Sequence, residues 1–383
     1  MTFDWELVCS DCARSGSPEG LPTVCPDCGQ PWLVRYHRSP APTLRAVLAS
    51  RPATMWRYRE WLPLREGEEP VTLGEGMTPL IRVPSVERAL GLHCVWIKDE
   101  SQNPTGSFKA RGMSAAITRA ALAGARRYTV PTAGNAGVAL SAYGARSGAE
   151  VRVYAPRSTP ARLLEQVEVH GGDLHALEGH IGDCGRVSRE WAAGSGAFDV
   201  STLREPYRIE GKKTLGLEIA EQLDWQLPDA ILYPTGGGTG LIGMWKAFDE
   251  LRAAGWLPAD ARTRLFSVQA AGCAPIIRAF EAGAETPTPW EDPETVASGL
   301  RVPGPLGGRL ILRGIRETGG GAVAIPDQTL TEWEHKVARA EGLDMCPEGG
   351  AAVAALAELV RCGTIRRDAR VVVFNTGAGW LYR

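Results

Sequence analysis

The sequence lacks several features that would place the protein in a membrane or on a polyanion. No uninterrupted apolar stretch approaches the roughly 20 residues that a membrane-spanning helix needs. The opening residues, MTFDWE, have neither the basic nor the apolar region of a signal peptide. The formal net charge is only -2, so no general attraction to nucleic acid or anionic lipid follows. We therefore expect a cytoplasmic protein that binds neither nucleic acid nor membranes.

The chain also lacks internal repeats and low-complexity segments, and its 383 residues are too many for one small core. Apolar segments such as 151–155 and 230–233 alternate with helix-like segments such as 137–147 and 240–253. This alternation is typical of βαβ units, which form parallel sheets with helices on both faces. The sequence therefore predicts an α/β protein of two lobes, with ligand-binding loops at the carboxyl ends of the strands.

Four of the nine cysteines form two Cys-x-x-Cys pairs near the N-terminus. These pairs are Cys9 with Cys12 and Cys25 with Cys28, and twelve residues separate them. Two such knuckles can bring four thiolates around a tetrahedral metal ion. We expect a structural zinc ribbon, because cysteine fills all four positions and leaves none open for catalysis. Two disulfides, or iron bound as in rubredoxin, are the alternatives.

A single lysine is the candidate catalytic residue. The turn-forming residues 103–106, Asn-Pro-Thr-Gly, deliver Lys109 to the predicted start of a helix. The partial positive charge of a helix N-terminus and burial both lower the pKa of a lysine. A neutral amine is the form that makes a Schiff base. The alternative is an ordinary solvated surface lysine.

Two glycine-containing loops, at residues 132–137 and 234–240, each follow a predicted strand and open a helix. Such loops let backbone N–H groups approach an anion. The second loop lacks the Lys-Ser/Thr of a nucleoside triphosphate site but is a good phosphate cradle. Loops of this kind also occur as plain structural turns. After the last apolar strand, the Thr376 hydroxyl either points into the same crevice or caps a turn.

Taken together, these motifs resemble those of the fold-type II pyridoxal-phosphate enzymes and, among them, of the threonine synthases. The matching segments, in the family's order, are residues 73–80, 103–113, 133–137, 210–214 with Glu218, 236–240 and 375–377. The resemblance implies a two-lobed fold like that of tryptophan synthase β. We accordingly expect a zinc ribbon at 1–38, a large cofactor-binding domain at 39–100 and 205–383, and a smaller α/β domain at 101–204. A homodimer is a further expectation.

The resemblance also implies roles for individual residues. Lys109 would hold pyridoxal phosphate as a Schiff base and then move protons at the substrate carbons. The other cofactor ligands would be Asn135 at the phenolic oxygen, Gly236, Gly237, Gly238 and Thr239 at the phosphate, and Thr376 at the pyridine nitrogen. The substrate carboxylate would meet the loop of Thr132, Ala133, Gly134, Asn135 and Ala136. A leaving phosphate would meet Arg111, Lys212 or Lys213.

The implied reaction converts O-phospho-L-homoserine and water to L-threonine and phosphate, by γ-elimination and β-addition of water. A hydroxyl at the pyridine nitrogen suits such eliminations, because it cannot hold the ring as a full cation. One position departs from the family pattern, since Ala110 stands where many threonine synthases have aspartate. Alternatives on the same scaffold are a threonine or serine dehydratase and a β-replacement enzyme such as a cysteate synthase. An inactive zinc-ribbon protein with a binding or regulatory role is the alternative from another class.

Overall fold

The computed structural model describes residues 4–383, which form three β-sheets with helices around two of them. The strands are β1 (Trp5–Cys9), β2 (Ser15–Gly16), β3 (Trp32–Tyr36), β4 (Leu80–Arg82), β5 (Cys94–Asp99), β6 (Arg127–Pro131), β7 (Glu150–Pro156), β8 (Asp173–Leu177), β9 (Phe198–Asp199), β10 (Ala230–Pro234), β11 (Arg264–Ala270), β12 (Gly321–Ile325) and β13 (Arg370–Asn375). The α-helices are α1 (Arg45–Leu48), α2 (Pro84–Leu90), α3 (Lys109–Leu122), α4 (Asn135–Arg146), α5 (Ala161–Val169), α6 (Ile181–Ser195), α7 (Tyr207–Gln222), α8 (Thr239–Ala253), α9 (Pro275–Glu281), α10 (Gly308–Glu317), α11 (Asp327–Glu341) and α12 (Pro347–Arg361). Over this described range, no helix combines the length and the apolar character needed to cross a membrane.

The large lobe is built on a six-stranded sheet of order β12-β11-β10-β13-β5-β4. Its strands pair in parallel, except that the edge strand β4 runs antiparallel to β5. Alternate residues of β13 face two different hydrophobic cores: Val372 and Phe374 join the core with α7 and α8, whereas Val371 and Val373 join the core with α12. Helices therefore cover both faces, and the predicted architecture is confirmed.

The small lobe contains a second sheet, with the order β8-β7-β6-β9 and parallel pairing throughout. Its core combines strand residues such as Val130 and Val153 with residues of α3 and α4. The strands of this sheet lie within residues 127–199, whereas those of the large sheet come from 80–99 and 230–375. The limits assigned to the domains from the sequence stay a prediction.

The N-terminal ribbon is an antiparallel sheet of order β2-β1-β3 that rests on α7. In β1 the buried residues Trp5, Leu7 and Cys9 alternate with half-buried ones, as expected for a strand with one face covered. The same hydrophobic cluster includes Tyr207, the first residue of α7. The ribbon is thus packed directly against a helix of the catalytic lobes.

Helices α3 and α7 cross at very short range, and glycines make this possible. A Cβ atom added to Gly211 would lie 2.1 Å from the carbonyl oxygen of Arg111. A Cβ atom on Gly112 would lie 3.2 Å from the carbonyl oxygen of Arg208. Any side chain at Gly211 would therefore push the two helices apart. The contact brings Lys109, on α3, close to the middle of α7.

A buried ion-pair network forms beside this crossing. The Arg111 guanidinium is fully buried and donates to Glu100, from Nε at 2.6 Å and from Nη2 at 2.8 Å. Its Nη1 and Nη2 atoms also donate to Glu218, the latter at 2.8 Å. Lys98 Nζ donates to the same carboxylate at 2.9 Å. Although burial opposes it, the charges of Arg111 and Lys98 lower the pKa of Glu218 to about 2. The network joins β5, α3 and α7.

The structure departs from the predicted helix limits in two places. The sequence predicts a helix over residues 213–223, whereas α7 begins at Tyr207, because the Glu205 carboxylate accepts hydrogen bonds from the N–H groups of Tyr207 and Arg208, at 2.7 and 3.0 Å. The sequence predicts no helix or strand between residues 282 and 329, but residues 308–325 form α10 and β12. A glycine inside a helix costs about 1 kcal/mol relative to alanine, so a helix that contains glycine is hard to predict from propensity. Such a helix is stabilised mainly by tertiary packing, which the sequence does not show.

Replacing Arg111 with alanine should strongly destabilise the protein, because Glu100 and Glu218 would stay buried without their cation. Removing one partner of a buried pair costs about 3–5 kcal/mol. Urea denaturation followed by circular dichroism should report a loss of that order. The matched control is Arg361→Ala, since Arg361 is 73% exposed and pairs with Glu358 on the surface; it should lose less than about 1 kcal/mol. Equal losses in the two variants would contradict this account.

Candidate active site

Three neighbouring strands deliver the predicted cofactor-binding segments to one edge of the large sheet. Strands β10, β13 and β5 are adjacent and parallel. The glycine loop follows β10, Thr376 follows β13, and the turn that leads to Lys109 follows β5. Carboxyl ends of parallel strands meet at one edge, so these segments come together. A bridge between Ser107 and Gly377, and a 3.1 Å hydrogen bond from Phe108 N to the Thr376 carbonyl, join two of them directly.

Lys109 is the first residue of α3 and is half-buried. Burial, first, and the positive charge of Arg208 lower the pKa of Lys109 to about 7, and the charge of Glu348 partly offsets them. Much of the amine is therefore neutral near pH 7, the state in which a lysine acts as a nucleophile or a base.

Two further cations of α7 lie beside Lys109. Lys212 is fully buried, and its Nζ donates to the Phe108 carbonyl and lies 4.1 Å from the centre of the Phe108 ring. Burial, first, and the charge of Lys109 hold the pKa of Lys212 well below its usual value. Arg208 is 1% exposed; its Nη1 donates to the Val200 carbonyl at 2.8 Å, and its Nε has no acceptor. Within residues 4–383, neither cation forms an ion pair with a carboxylate.

The glycine loop presents free backbone donors. Across the described chain, the N–H groups of Gly236, Gly237 and Gly238 have no hydrogen-bond acceptor, and the loop leads into α8 at Thr239. Gly238 has a φ of 74°, and a Cβ on Gly237 would lie 2.6 Å from Thr202 Cγ2. Free N–H groups at the N-terminus of a long helix suit a phosphate.

Asn135 and Thr376 border the same space from the two lobes. Asn135 begins α4, and its Nδ2 donates to the Tyr382 hydroxyl at 2.9 Å, whereas its buried Oδ1 has no partner. A Cβ on Gly377, next to Thr376, would lie 3.6 Å from Asn135 Nδ2. The Thr376 Oγ1 lies 3.6 Å from Cys346 Sγ. The amide of the small lobe thus lies beside the segment of the large lobe that carries Thr376.

The predicted carboxylate-binding loop lies immediately before α4. Thr132 Oγ1 accepts a 2.9 Å hydrogen bond from Gly134 N, which closes the loop. Gly134 has a φ of 143°, a backbone conformation that favours glycine. The N–H of Ala133 has no acceptor in the part of the chain that the structure describes. This loop, with Asn135 and Ala136 at the start of the helix, has the form of an anion site.

Two residues expected to meet a leaving phosphate lie elsewhere, and we correct that expectation. The guanidinium of Arg111 is taken by Glu100 and Glu218 in the buried network. Lys213 Nζ contacts Glu210 at 2.7 Å and Glu250 at 2.8 Å, on the side of α7 that faces the ribbon. Because these cations are already bound to buried carboxylates, we remove both from the candidate substrate ligands. Lys212 stays in that set.

Three residues of the site were missed from the sequence. Arg208 had an available signal, because residues four apart share one face of a helix and Arg208 lies four before Lys212. For Glu348 and Tyr382 the sequence contains no such signal. Glu348 Oε1 accepts a 2.7 Å hydrogen bond from Gly299 N, and a Cβ on Gly236 would lie 2.3 Å from the Gly299 carbonyl oxygen. Only the folded chain brings these segments together.

The ribbon cysteines converge as predicted. The four sulfur atoms all lie within 4.8 Å of one another, with Cys9 and Cys28 at 3.4 Å and Cys12 and Cys25 at 3.7 Å. These distances exceed the roughly 2.05 Å of a disulfide. They are close to the separation of about 3.8 Å between sulfurs bound tetrahedrally at about 2.3 Å from zinc.

A cavity of about 400 Å³ lies away from Lys109, between the ribbon and α8. Its walls are mainly apolar and include Leu33, Trp61 and Trp245. It shares none of the residues named at the candidate active site and plays no part in the chemistry considered below.

Comparison with known proteins identifies the class to which this site belongs. A family model described as pyridoxal-phosphate dependent enzyme matches residues 71–377. The chain belongs to this family, in its fold-type II branch. Two relatives of this chain are threonine synthases. That of Methanosarcina acetivorans is 34% identical over 374 residues, covering 97% of this chain and 91% of the relative. The threonine synthase of Methanocaldococcus jannaschii is 34% identical over 333 residues, covering 87% of this chain and 82% of the relative.

Solved structures agree on the fold. Maize serine racemase superposes with a TM-score of 0.69 at 21% identity, over 79% of this chain and 88% of its own. Threonine deaminase isoform 2 of Solanum lycopersicum superposes with a TM-score of 0.65 at 21% identity, over 79% of this chain and 83% of its own. At this identity the likeness establishes the fold and not the reaction.

The residues present fit pyridoxal phosphate. The three glycine N–H groups have no acceptor, the buried Asn135 Oδ1 has no partner, and Lys109 supplies an amine with a lowered pKa. A dianionic phosphate, a polar ring substituent and an aldehyde are the complementary groups. The chain is accordingly a pyridoxal-phosphate-dependent enzyme.

The pKa of Lys109 can be tested directly on the amine. Competitive labelling of the cofactor-free protein with acetic anhydride, followed by peptide mass spectrometry, measures the neutral fraction of each lysine. Because burial disfavours the charged form, labelling of Lys109 should rise with a midpoint near pH 7 and level off above it. The exposed Lys336 is the internal reference. A Lys109 profile that still rises at pH 9 and above would refute a lowered pKa.

Proposed function

We propose that the enzyme converts O-phospho-L-homoserine and water to L-threonine and phosphate. The observation that carries this proposal is the pair of buried basic side chains, Arg208 and Lys212, neither of which forms an ion pair with a carboxylate of the described chain, although the charges of Glu205 and Asp199 act on Arg208. Unpaired buried charge is costly, so such cations are retained where an anion joins them. A substrate phosphate is that anion. The resemblance to threonine synthases supports the same substrate.

In this proposal each residue of the chain has a defined task. The Thr132–Ala136 loop binds the substrate carboxylate, and the glycine N–H groups with Thr239 bind the cofactor phosphate. Pyridoxal phosphate supplies an electron sink for a carbanion at the substrate. Lys109 takes the α proton and then one β proton, and it returns protons at the γ and α carbons. Asn135 donates to the phenolic oxygen of the cofactor.

The remaining tasks concern charge on the ring and on the leaving group. Thr376 would offer the pyridine nitrogen a neutral hydroxyl, so the ring would withdraw electrons less strongly than a full cation does. Arg208 and Lys212 hold the phosphate group of the substrate while its bond to the γ carbon breaks. Water then adds at the β carbon, and threonine and inorganic phosphate are the products.

The main rival is a threonine or serine dehydratase on the same scaffold, as the superposition with a threonine deaminase illustrates. A dehydratase expels a hydroxyl group and needs no second anion site. A β-replacement enzyme acting on phosphoserine would use the cations but a shorter substrate. The unpaired Arg208 favours a phosphorylated substrate over the dehydratase.

We also propose that the ribbon binds zinc as a structural ion through Cys9, Cys12, Cys25 and Cys28. The sulfur separations support a closed site of four thiolates. The homodimer stays a prediction.

The three-substrate assay separates the candidate reactions. The cofactor-loaded enzyme is incubated separately with O-phosphohomoserine, threonine and phosphoserine, and phosphate, threonine and 2-oxo acids are measured. Threonine and phosphate formed in equal amounts from the first substrate alone support the proposal. Formation of 2-oxobutyrate from threonine, with no turnover of phosphohomoserine, contradicts it. Phosphate released only from phosphoserine would favour β-replacement.

Arg208→Gln should selectively impair the phosphorylated substrate. Losing a charge-assisted hydrogen bond should lower kcat/KM by about 10- to 100-fold. The matched control is Arg204→Gln, four residues earlier and half-buried, which should retain activity within about twofold if Arg208 alone binds the phosphate. Similar losses in both variants would remove Arg208 from the phosphate site.

Metal analysis tests the ribbon. The purified protein should contain one zinc ion per chain, and Cys25→Ser with Cys28→Ser should abolish binding, because three or four thiolates are needed to close the site. The control is Cys362→Ser, an exposed cysteine outside the ribbon, which should leave the zinc content unchanged. Iron in place of zinc, or no metal after mild purification, would contradict the assignment.

A further inference from the structure

The last residues of the chain connect the two lobes beside the candidate active site. On the large lobe, Gly379 N donates to the Asp344 carbonyl at 3.0 Å, and Arg383 pairs with Asp344 and Glu334. On the small lobe, Leu381 is buried in the hydrophobic core with residues of α3 and α4. Tyr382 lies between Leu381 and Arg383, so the backbone is held on both sides of it.

The hydroxyl of Tyr382 reaches Asn135. Asn135 Nδ2 donates to this hydroxyl at 2.9 Å, and Asn135 Oδ1 has no partner. A planar amide held at one nitrogen has the direction of its oxygen and of its second N–H fixed as well. The contact with Tyr382 therefore determines whether Asn135 directs its oxygen or its second N–H group toward the candidate active site.

Glu348 decides which way the hydroxyl hydrogen of Tyr382 points. Glu348 is 3% exposed; its Oε1 accepts from Gly299 N at 2.7 Å, and its side chain interacts with the Tyr382 hydroxyl. Burial, first, and the negative charge of Glu348 hold the pKa of Tyr382 well above its usual value. The hydroxyl is thus neutral and is drawn to donate toward the carboxylate. A lone pair of the Tyr382 oxygen therefore faces Asn135 Nδ2.

We propose that Tyr382 is a positioning residue that orients Asn135 for the cofactor. With only a lone pair to offer, the Tyr382 hydroxyl selects the amide orientation in which Nδ2 faces it. An amide nitrogen carries two hydrogens, so the second N–H is free to donate to the phenolic oxygen. The inference rests on the role of Asn135 in the proposed function and adds the residue that sets its geometry.

A double-mutant cycle tests this role with a spectroscopic readout. The cofactor-loaded wild type, Tyr382→Phe, Asn135→Ala and the double variant are titrated with pH while the visible absorbance of the cofactor is followed. Tyr382→Phe should shift the midpoint in the same direction as Asn135→Ala, by a smaller amount. The double variant should match Asn135→Ala, because a residue that acts only through Asn135 has no effect without it.

Kinetics give a second measurement. Tyr382→Phe should lower kcat about two- to tenfold, the effect of one neutral hydrogen bond, with KM within about twofold. The control is Trp380→Phe, on the same segment and 45% exposed, which should change neither the midpoint nor kcat. An unchanged midpoint in Tyr382→Phe, or a shift that persists in full in the Asn135→Ala background, would overturn the proposal.

The experiment also distinguishes a failure of this proposal from a failure of the proposed function. The absorbance titration needs only bound cofactor, so it decides the role of Tyr382 even if phosphohomoserine is not the substrate. Phenylalanine keeps the ring and its packing, and thermal melting checks the fold.

Discussion

The close crossing of α3 and α7 is the constraint on which the active site depends. Backbone meets backbone at Gly112 and Gly211, at distances that leave no room for a Cβ on Gly211. One consequence is chemical: Lys109, at the start of α3, lies close to α7, and the charge of Arg208 adds to burial in favouring the neutral amine. The other is mechanical, because Arg111 can reach Glu218 only across so short a gap. The same contact thus sets reactivity and stability.

Helix α7 also divides two adjacent lysines between two different environments. Lys212 faces the Lys109 side and has no carboxylate partner among the described residues, whereas Lys213 faces Glu210 and Glu250 beneath the ribbon. Successive residues of a helix point about 100° apart, so neighbours in sequence need not share a site. The unpaired cation is available to a substrate, and the paired one holds the ribbon side of the fold together.

Much of the fold could be predicted from the sequence, because it depends on local patterns. Alternating apolar strands and amphipathic helices predicted parallel sheets with helices on both faces, and strand–loop–helix junctions predicted where anions bind. The assignment of Arg111 to the substrate was wrong, because the sequence around the candidate lysine does not show whether a nearby arginine binds a ligand or a buried glutamate. Residues Glu348 and Tyr382 could not be found, since Tyr382 contacts Asn135 from 247 residues further along the chain and Glu348 contacts Gly299 from 49 residues away.

The sequence by itself determined the class of elements and the two Cys-x-x-Cys knuckles, and it predicted the candidate residues of the cofactor site. Spacing and residue type are enough for those features, since each is made within a short segment. The tertiary structure alone decided which cations stay unpaired, how far the pKa of Lys109 falls, and that the penultimate residue contacts Asn135. Burial and charge pairing are properties of groups distant along the chain, and they exist only once packing has excluded water and set the distances between them.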